Sequence, residues 1–148
     1  MGNLDMAREL SMLVQVDIDA AHATAQAIAA IEEIGIRVQL TRFRTDHERH
    51  IEQLSAVIRA LDAQPPLYSR DFEGFVVEGF TSITGTLGIE GALRSIKANE
   101  ELMAGKYRAA CDLEFTPNIG ELVWCNCRDE QVHLKYISEV LAGRLSNK

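Results

Sequence analysis

Four long stretches of helical periodicity constrain the fold of this chain more than any other feature. Within each stretch, apolar residues recur at steps of three and four, the spacing that lines one face of an α-helix. The stretches run from about Leu4 to Ile34, from about Ile36 to Asp62, from about Thr86 to Glu114, and from Pro117 to about Gly143. Gly35 is predicted to end the first helix, and Pro117 is predicted to occupy the first turn of the fourth. The sequence therefore predicts an all-α chain.

The links between these helices predict how they are arranged. Short links join the first helix to the second and the third to the fourth, so each pair is predicted to form an antiparallel hairpin. Residues 63–85 lie between the hairpins and are numerous enough to travel the length of a helix, roughly 35–40 Å. This stretch is predicted to be a crossover, and Phe72, Phe75, Val76 and Phe80 fall at the spacing of a short amphipathic helix within it.

Composition limits the class of protein. With 148 residues, 47% of them hydrophobic and 25% charged, the chain is predicted to form one folded domain, residues 1–148. A net charge of −7, with basic residues scattered among acidic ones, argues against nucleic-acid binding. No apolar run approaches the roughly 18 residues of a membrane span, and the N-terminus does not resemble a signal peptide. We therefore expect no membrane association and a cytoplasmic location.

Two histidines interrupt the apolar face of the second helix. That face reads Leu40, Phe43, His47, His50, Leu54, Val57 and Leu61. Both imidazoles are therefore predicted to point into the bundle, where apolar side chains are the rule.

The two hairpins are related by an internal repeat. The two halves span about residues 4–62 and 86–143, and an offset of 83 residues aligns the polar residues of their inward faces. The aligned pairs are Asp17 with Glu100, Thr24 with Tyr107, Asp46 with Asp129, His47 with Glu130, and His50 with His133. Each half thus places a carboxylate on its first helix and a histidine at the matching level of its second.

The repeat predicts a site for two metal ions. Six ionisable groups are expected to be buried at one level of the bundle: Asp17, His47, His50, Glu100, Glu130 and His133. Burying such groups without partners costs several kcal/mol each. Two divalent cations would compensate them, because carboxylate oxygens and neutral imidazole nitrogens are ligands for iron, manganese and zinc. Residues at i and i+3 share a helix face, so Glu130 and His133 form a chelating pair.

At these motifs the chain resembles the ferritin-like di-iron carboxylate superfamily, in which two helices each give a Glu and two each give Glu-x-x-His. Residues 129–133, DEQVH, are similar to that motif, and residues 46–50, DHERH, are similar to it with the Glu replaced by His47. The resemblance covers nearly the whole chain. It implies a ferritin-like four-helix bundle, two metal ions that are most simply iron, Asp46 and Asp129 as residues that orient the histidines, and Tyr107 beside the site.

The chain also departs from the pattern of that superfamily. Asp17 is one methylene shorter than the usual Glu, Thr24 replaces a Tyr, and His47 replaces a carboxylate. Three carboxylates facing two divalent cations leave a formal charge of +1, where four would leave zero. We therefore predict that the site favours the divalent state or recruits an anion such as hydroxide.

Two classes of function follow from this reading. The first is an oxidoreductase that removes peroxide, oxidises ferrous iron or oxygenates a small molecule, with oxygen or peroxide as its small-molecule partner. The second is a non-enzymatic helical-bundle scaffold or interaction protein with a lost or repurposed metal site. Asp17 could then pair with His50, and Glu100 with His133, as hydrogen-bonded core residues. A homo-oligomer is expected in either case, with a dimer through the apolar crossover as the simplest form.

Three side chains away from the site also receive predictions. His22 lies off the inward face and is predicted to be at the surface. Trp124 is predicted to pack against the crossover helix or a second subunit. Arg49 is predicted to form ordinary helix-stabilising pairs on the outer face of the second helix.

Overall fold

The computed structural model describes the backbone of residues 1–70 and 80–146 and the side chains of residues 1–70 and 88–144. Its described helices are α1 (Asn3–Ala30), α2 (Ile34–Ala60), α3 (Phe80–Cys111) and α4 (Pro117–Ser146). α1 packs against α2 and α3 against α4, and the two hairpins meet through α1 with α3 and through α2 with α4. The predicted all-α bundle of two hairpins is therefore confirmed.

The predicted end of the first helix is wrong. α1 ends at Ala30, and Ile31 is extended while its N–H still donates to the carbonyl oxygen of Ala27 at 2.9 Å. Gly35 instead lies in the first turn of α2. The side chain of Ile31 is 1% exposed, so the chain turns where this residue can close the end of the apolar core. Burial of Ile31 outweighs the tendency of glycine to end a helix.

The second hairpin follows the prediction more closely. α4 begins at Pro117, whose missing N–H costs nothing in the first turn of a helix. α3 begins at Phe80, ahead of the predicted start at Thr86, and is interrupted at Gly88. Gly88 has φ of 64°, in the left-handed region that glycine adopts without a steric penalty. The predicted crossover helix with Phe72, Phe75 and Val76 lies outside the described residues.

The apolar core is divided into two clusters along the bundle axis. One cluster contains Leu10, Val14, Leu54, Ile58, Met103 and Val123, and the other contains Ile31, Leu40, Phe43, Leu93, Ile96 and Ile137. On α2, α3 and α4 the residues predicted to bind metal fall between these clusters, whereas Asp17 on α1 lies among residues of the first cluster. The fold thus holds a polar layer between two apolar layers. Within the described residues, no helix is long and apolar enough to cross a membrane.

Candidate metal centre

The structure brings all six predicted site residues together. α1 supplies Asp17, α2 supplies two histidines, α3 supplies Glu100, and α4 supplies Glu130 and His133. Each of the six is at most 1% exposed. The convergence follows from the inward face of each helix, because residues that share a face and a level along the axis meet in the centre of the bundle.

Four of these residues form what we call the first group: Asp17, His47, His50 and Glu130. The Nδ1 atoms of His47 and His50 lie 3.0 and 3.1 Å from Oδ1 of Asp17. The same two nitrogens lie 3.4 and 3.3 Å from Oε1 of Glu130. Four ligand atoms, two oxygens and two nitrogens, therefore surround one point.

The second group contains His47, Glu100, Glu130 and His133. Nε2 of His47 lies 3.1 Å from Oε1 of Glu100. Nδ1 of His133 lies 3.5 Å from Oε2 of Glu100 and 3.6 Å from Oε2 of Glu130. Glu130 thus presents one oxygen to each group, and His47 presents one nitrogen to each.

These spacings are compatible with ligands around a cation. Within each group, one ligand atom per residue can be chosen so that all lie within 4.8 Å of one another. Ligand atoms about 2.1 Å from a metal ion lie roughly 3.0–3.4 Å apart in octahedral or tetrahedral coordination. The structure therefore contains two overlapping groups of buried residues that could hold metal ions.

Polar atoms without hydrogen-bond partners test whether a cation fits. Among the described residues, both carboxylate oxygens of Glu130, Oε2 of Glu100 and Nδ1 of His133 are buried and make no hydrogen bond. Leaving such atoms unsatisfied costs about 1–3 kcal/mol each, and more when the group is charged. All four belong to the two groups, where their nearest opposite charges lie 3.3–3.6 Å away, so a bound cation could satisfy atoms that lack a hydrogen bond.

The outer nitrogens of two histidines are hydrogen-bonded across the hairpins. Nε2 of His50 lies 2.9 Å from Asp129, and Nε2 of His133 lies 2.8 Å from Asp46. Each aspartate thus contacts the histidine of the other half of the repeat. This leaves Nδ1 of both histidines facing the centre, the arrangement in which an outer carboxylate orients a metal-binding histidine.

The prediction for Arg49 is wrong in one respect. Its guanidinium pairs with Asp46 at 3.0 Å on its own helix, as the i,i+3 spacing suggests, but it also pairs with Asp129 on α4 at 2.8 Å. Arg49 therefore links the two aspartates that hold the histidines and covers the α2–α4 side of the site. The repeat gives no warning of this, because the matching residue is Val132.

Two further side chains distinguish the halves of the site. The hydroxyl of Tyr107 donates to Oδ2 of Asp17, whereas its repeat partner Thr24 donates to the carbonyl oxygen of Ala20 on its own helix. Only the second half thus provides a hydroxyl at the centre. Sequence reasoning assigned no role to Asn126, which is fully buried on α4 and lies within reach of the hydroxyl of Tyr107. Its position on the inward face of α4 was the one available signal.

The carboxylates set the charge state of the histidines in the metal-free protein. Burial by itself lowers the pKa of His50 and His133, but contacts led by Asp129 for the first and Asp46 for the second raise each pKa to about 10. Burial likewise opposes the charge on His47, yet two glutamates hold its pKa well above the usual range. The metal-free site is therefore a network of imidazolium and carboxylate groups.

This network predicts how the stability of the metal-free protein depends on pH. A histidine with a raised pKa in the folded state stabilises the fold fully below its unfolded pKa of about 6.5, and this contribution is lost as the pH rises toward the folded pKa of about 10. We expect the free energy of unfolding, measured by urea denaturation with a chelator present, to fall by several kcal/mol between pH 6.5 and 10. The double variant His50→Ala with His133→Ala should lose most of this dependence of the unfolding free energy on pH, and His22→Ala should keep it. An unchanged pH dependence in the double variant would contradict the assignment of this effect to His50 and His133.

The aspartates predict a second, smaller effect. Asp46→Asn and Asp129→Asn should each weaken metal binding by about 10–100-fold, because the amide can no longer fix the ring of the histidine it contacts as strongly. Isothermal titration with Mn²⁺ measures this loss. Glu139→Gln is the matched control, since Glu139 is an exposed residue of α4 that, among the described residues, pairs with Lys135 at 3.9 Å. Equal affinities in all three variants would exclude an orienting role for the aspartates.

Two predictions outside the site have different outcomes. His22 is buried, not on the surface: it is 8% exposed, and its ring lies 5.3 Å from that of Tyr68. Tyr68 lies in the segment that follows α2. Because this segment is not part of a helix, helical periodicity cannot predict its contact with His22. Trp124 is 51% exposed and stacks with Arg128 at 5.0 Å. Its predicted contact with a crossover helix or a second subunit remains a prediction.

No protein-family model matches this chain, and no curated protein matches it either. What the structure itself defines is a four-helix bundle with two overlapping groups of buried histidines and carboxylates that could hold metal ions.

Proposed function

We propose that this chain is a ferritin-like metalloprotein that binds two divalent cations, most simply iron, and uses them to reduce peroxide or oxygen. The observation that carries the proposal is the pair of overlapping groups, whose buried atoms include four that lack a hydrogen bond. The connectivity of two hairpins and the DEQVH and DHERH motifs support the resemblance to di-iron carboxylate proteins.

The ligand atoms support iron or manganese over softer metals. Both groups offer carboxylate oxygens and imidazole nitrogens, and neither includes a thiolate. Such mixed oxygen and nitrogen sets suit Fe²⁺ and Mn²⁺ and also accept Zn²⁺. When bound, a pair of iron ions supplies two electrons, one from each ion, for the reduction of oxygen or peroxide.

The protein contributes a dry, positioned site. Leu54, Met103 and Ile137 are fully buried in the apolar clusters above and below the polar layer. They exclude water, which strengthens electrostatic interactions within the site. The hydroxyl of Tyr107 is held by Asp17, so a proton donor lies at the edge of the first group. Asp46, Arg49 and Asp129 are 32–43% exposed and mark the side of the site closest to solvent.

Peroxide turnover tests the proposed activity. Protein loaded anaerobically with two equivalents of Fe²⁺ should consume hydrogen peroxide faster than the same concentration of free Fe²⁺ at the same pH. The double variant His50→Ala with His133→Ala should consume it no faster than free iron. Equal rates for the wild type and the double variant would overturn a redox role for this site.

A second candidate function rests on a specific observation. The three imidazoles and three carboxylates can neutralise one another, since Asp17 contacts His50 at 3.1 Å, and Glu100 contacts His47 at 3.1 Å and His133 at 3.5 Å. A non-enzymatic bundle could use this network as a structural core. In that case the double variant would lose stability, by about 3–5 kcal/mol, while the wild type would have no metal to lose.

A further inference from the structure

His47 differs from the other two histidines in how its ring is used. His50 and His133 each direct Nδ1 into the site and give Nε2 to an outer aspartate. His47 directs both ring nitrogens into the site: Nδ1 lies 3.0 Å from Asp17 in the first group, and Nε2 lies 3.1 Å from Glu100 in the second. Among the described residues, no outer carboxylate contacts the ring of His47, so neither nitrogen is committed to an orienting contact.

The total charge of the two ions and their proposed ligands bears on how His47 would bind. Two divalent cations bring four positive charges, and the carboxylates of Asp17, Glu100 and Glu130 bring three negative ones. The ligands themselves thus leave one positive charge among residues at most 1% exposed, and outside them Asp46 and Asp129 face Arg49 on the more exposed side of the site. One additional negative charge between the two groups would make the site neutral.

We propose that His47 bridges the two metal ions as an imidazolate, with Nδ1 on the ion of the first group and Nε2 on the ion of the second. The inference rests on the proposed dinuclear site. In the metal-free protein Nδ1 and Nε2 lie 3.0 and 3.1 Å from carboxylate oxygens of Asp17 and Glu100. The two ions bind at the ring nitrogens in place of the ring protons, which pass to solvent, and the ring becomes an anion. Three carboxylates and one imidazolate then balance two divalent cations.

This assignment gives a reason for the substitution at position 47. A glutamate there would supply a fourth carboxylate, as in the Glu-x-x-His motif that residues 47–50 resemble. The histidine supplies the same negative charge only when both of its nitrogens bind metal. His47 is then required for two ions together, and a singly occupied site has no need of the imidazolate.

The test uses the full chain loaded with Mn²⁺, which is stable in air and visible by electron paramagnetic resonance. We expect two Mn²⁺ per chain, a spectrum of exchange-coupled ions, and a crystal structure in which each nitrogen of His47 lies about 2.0–2.2 Å from a different ion. His47→Gln should lose at least one equivalent, His47→Glu should keep two with altered coupling, and His22→Ala, a buried histidine outside both groups, should match the wild type.

The outcomes separate the bridge from the site itself. Two bound ions with His47 on one ion or on neither would overturn the bridge and leave the dinuclear site intact, whatever the variants do. If His47→Gln still bound two ions with unchanged exchange coupling, this result would also overturn the bridge. A wild-type chain that binds no Mn²⁺, Fe²⁺ or Zn²⁺ would overturn the proposed function and the bridge together.

Discussion

Replacing Glu130 by glutamine is expected to abolish the binding of both metal ions. Its Oε1 faces the first group and its Oε2 faces the second, and both atoms are buried without hydrogen-bond partners. The amide keeps the shape of the side chain but loses the charge and one acceptor. The loss of affinity should exceed the loss of about 10–100-fold that is typical when a residue only orients a ligand.

Single-group variants give this prediction its control. Asp17 belongs only to the first group and Glu100 only to the second. Asp17→Asn and Glu100→Gln should therefore each retain one equivalent of metal where Glu130→Gln retains none, as measured by elemental analysis after dialysis. Glu121→Gln, an exposed position on the same helix, should retain two. Two equivalents in Glu130→Gln would show that Glu130 is not shared between the ions.

Metal binding should also stabilise the fold strongly. A ligand at about 1,000 times its dissociation constant stabilises the folded state by about 4 kcal/mol for each site. For a chain of this size, one kcal/mol corresponds to about 2–4 °C in the melting temperature. Thermal unfolding followed by circular dichroism should therefore shift upward by roughly 10 °C or more with Mn²⁺ in excess, and a chelator should reverse the shift.

The double variant His50→Ala with His133→Ala provides the comparison for this shift. It removes one nitrogen ligand from each group, so its melting temperature should respond to Mn²⁺ by only a degree or two, about the scale of a fraction of a kcal/mol. An equal upward shift in the wild type and the double variant would place the stabilising metal elsewhere on the chain.

The sequence predicts the centre of the site better than its surroundings. Helical periodicity places His47 and His50 on an inward face, and the repeat identifies Glu130 and His133 as their counterparts, because both signals depend only on spacing along the chain. The level at which the four helices meet follows from the same spacing. These residues therefore converge in the structure as the sequence predicts.

Contacts that cross between hairpins lie beyond such reasoning. Asp46 contacts His133, and Asp129 contacts His50, so the outer hydrogen bonds connect residues that are distant in sequence. Arg49 joins the two aspartates without any counterpart in the repeat. Spacing along one helix carries no information on which residue of another helix a long side chain reaches.

The prediction of where α1 ends is wrong for a different reason. The glycine at position 35 suggests a helix end, but the position of Ile31 against the core decides where α1 stops. Local propensity is a weak preference of about 1 kcal/mol, whereas burying an isoleucine contributes about 1.5–3 kcal/mol. Tertiary packing therefore overrides the local signal.

Elemental analysis of protein purified without chelator and without nickel affinity resin tests the central claim most directly. The measured quantities are moles of iron, manganese and zinc per chain. We predict close to two equivalents of iron or manganese, filling the first and second groups. Close to zero, with no uptake of Fe²⁺ added under anaerobic conditions, would contradict it and leave the six buried residues as a hydrogen-bonded structural core.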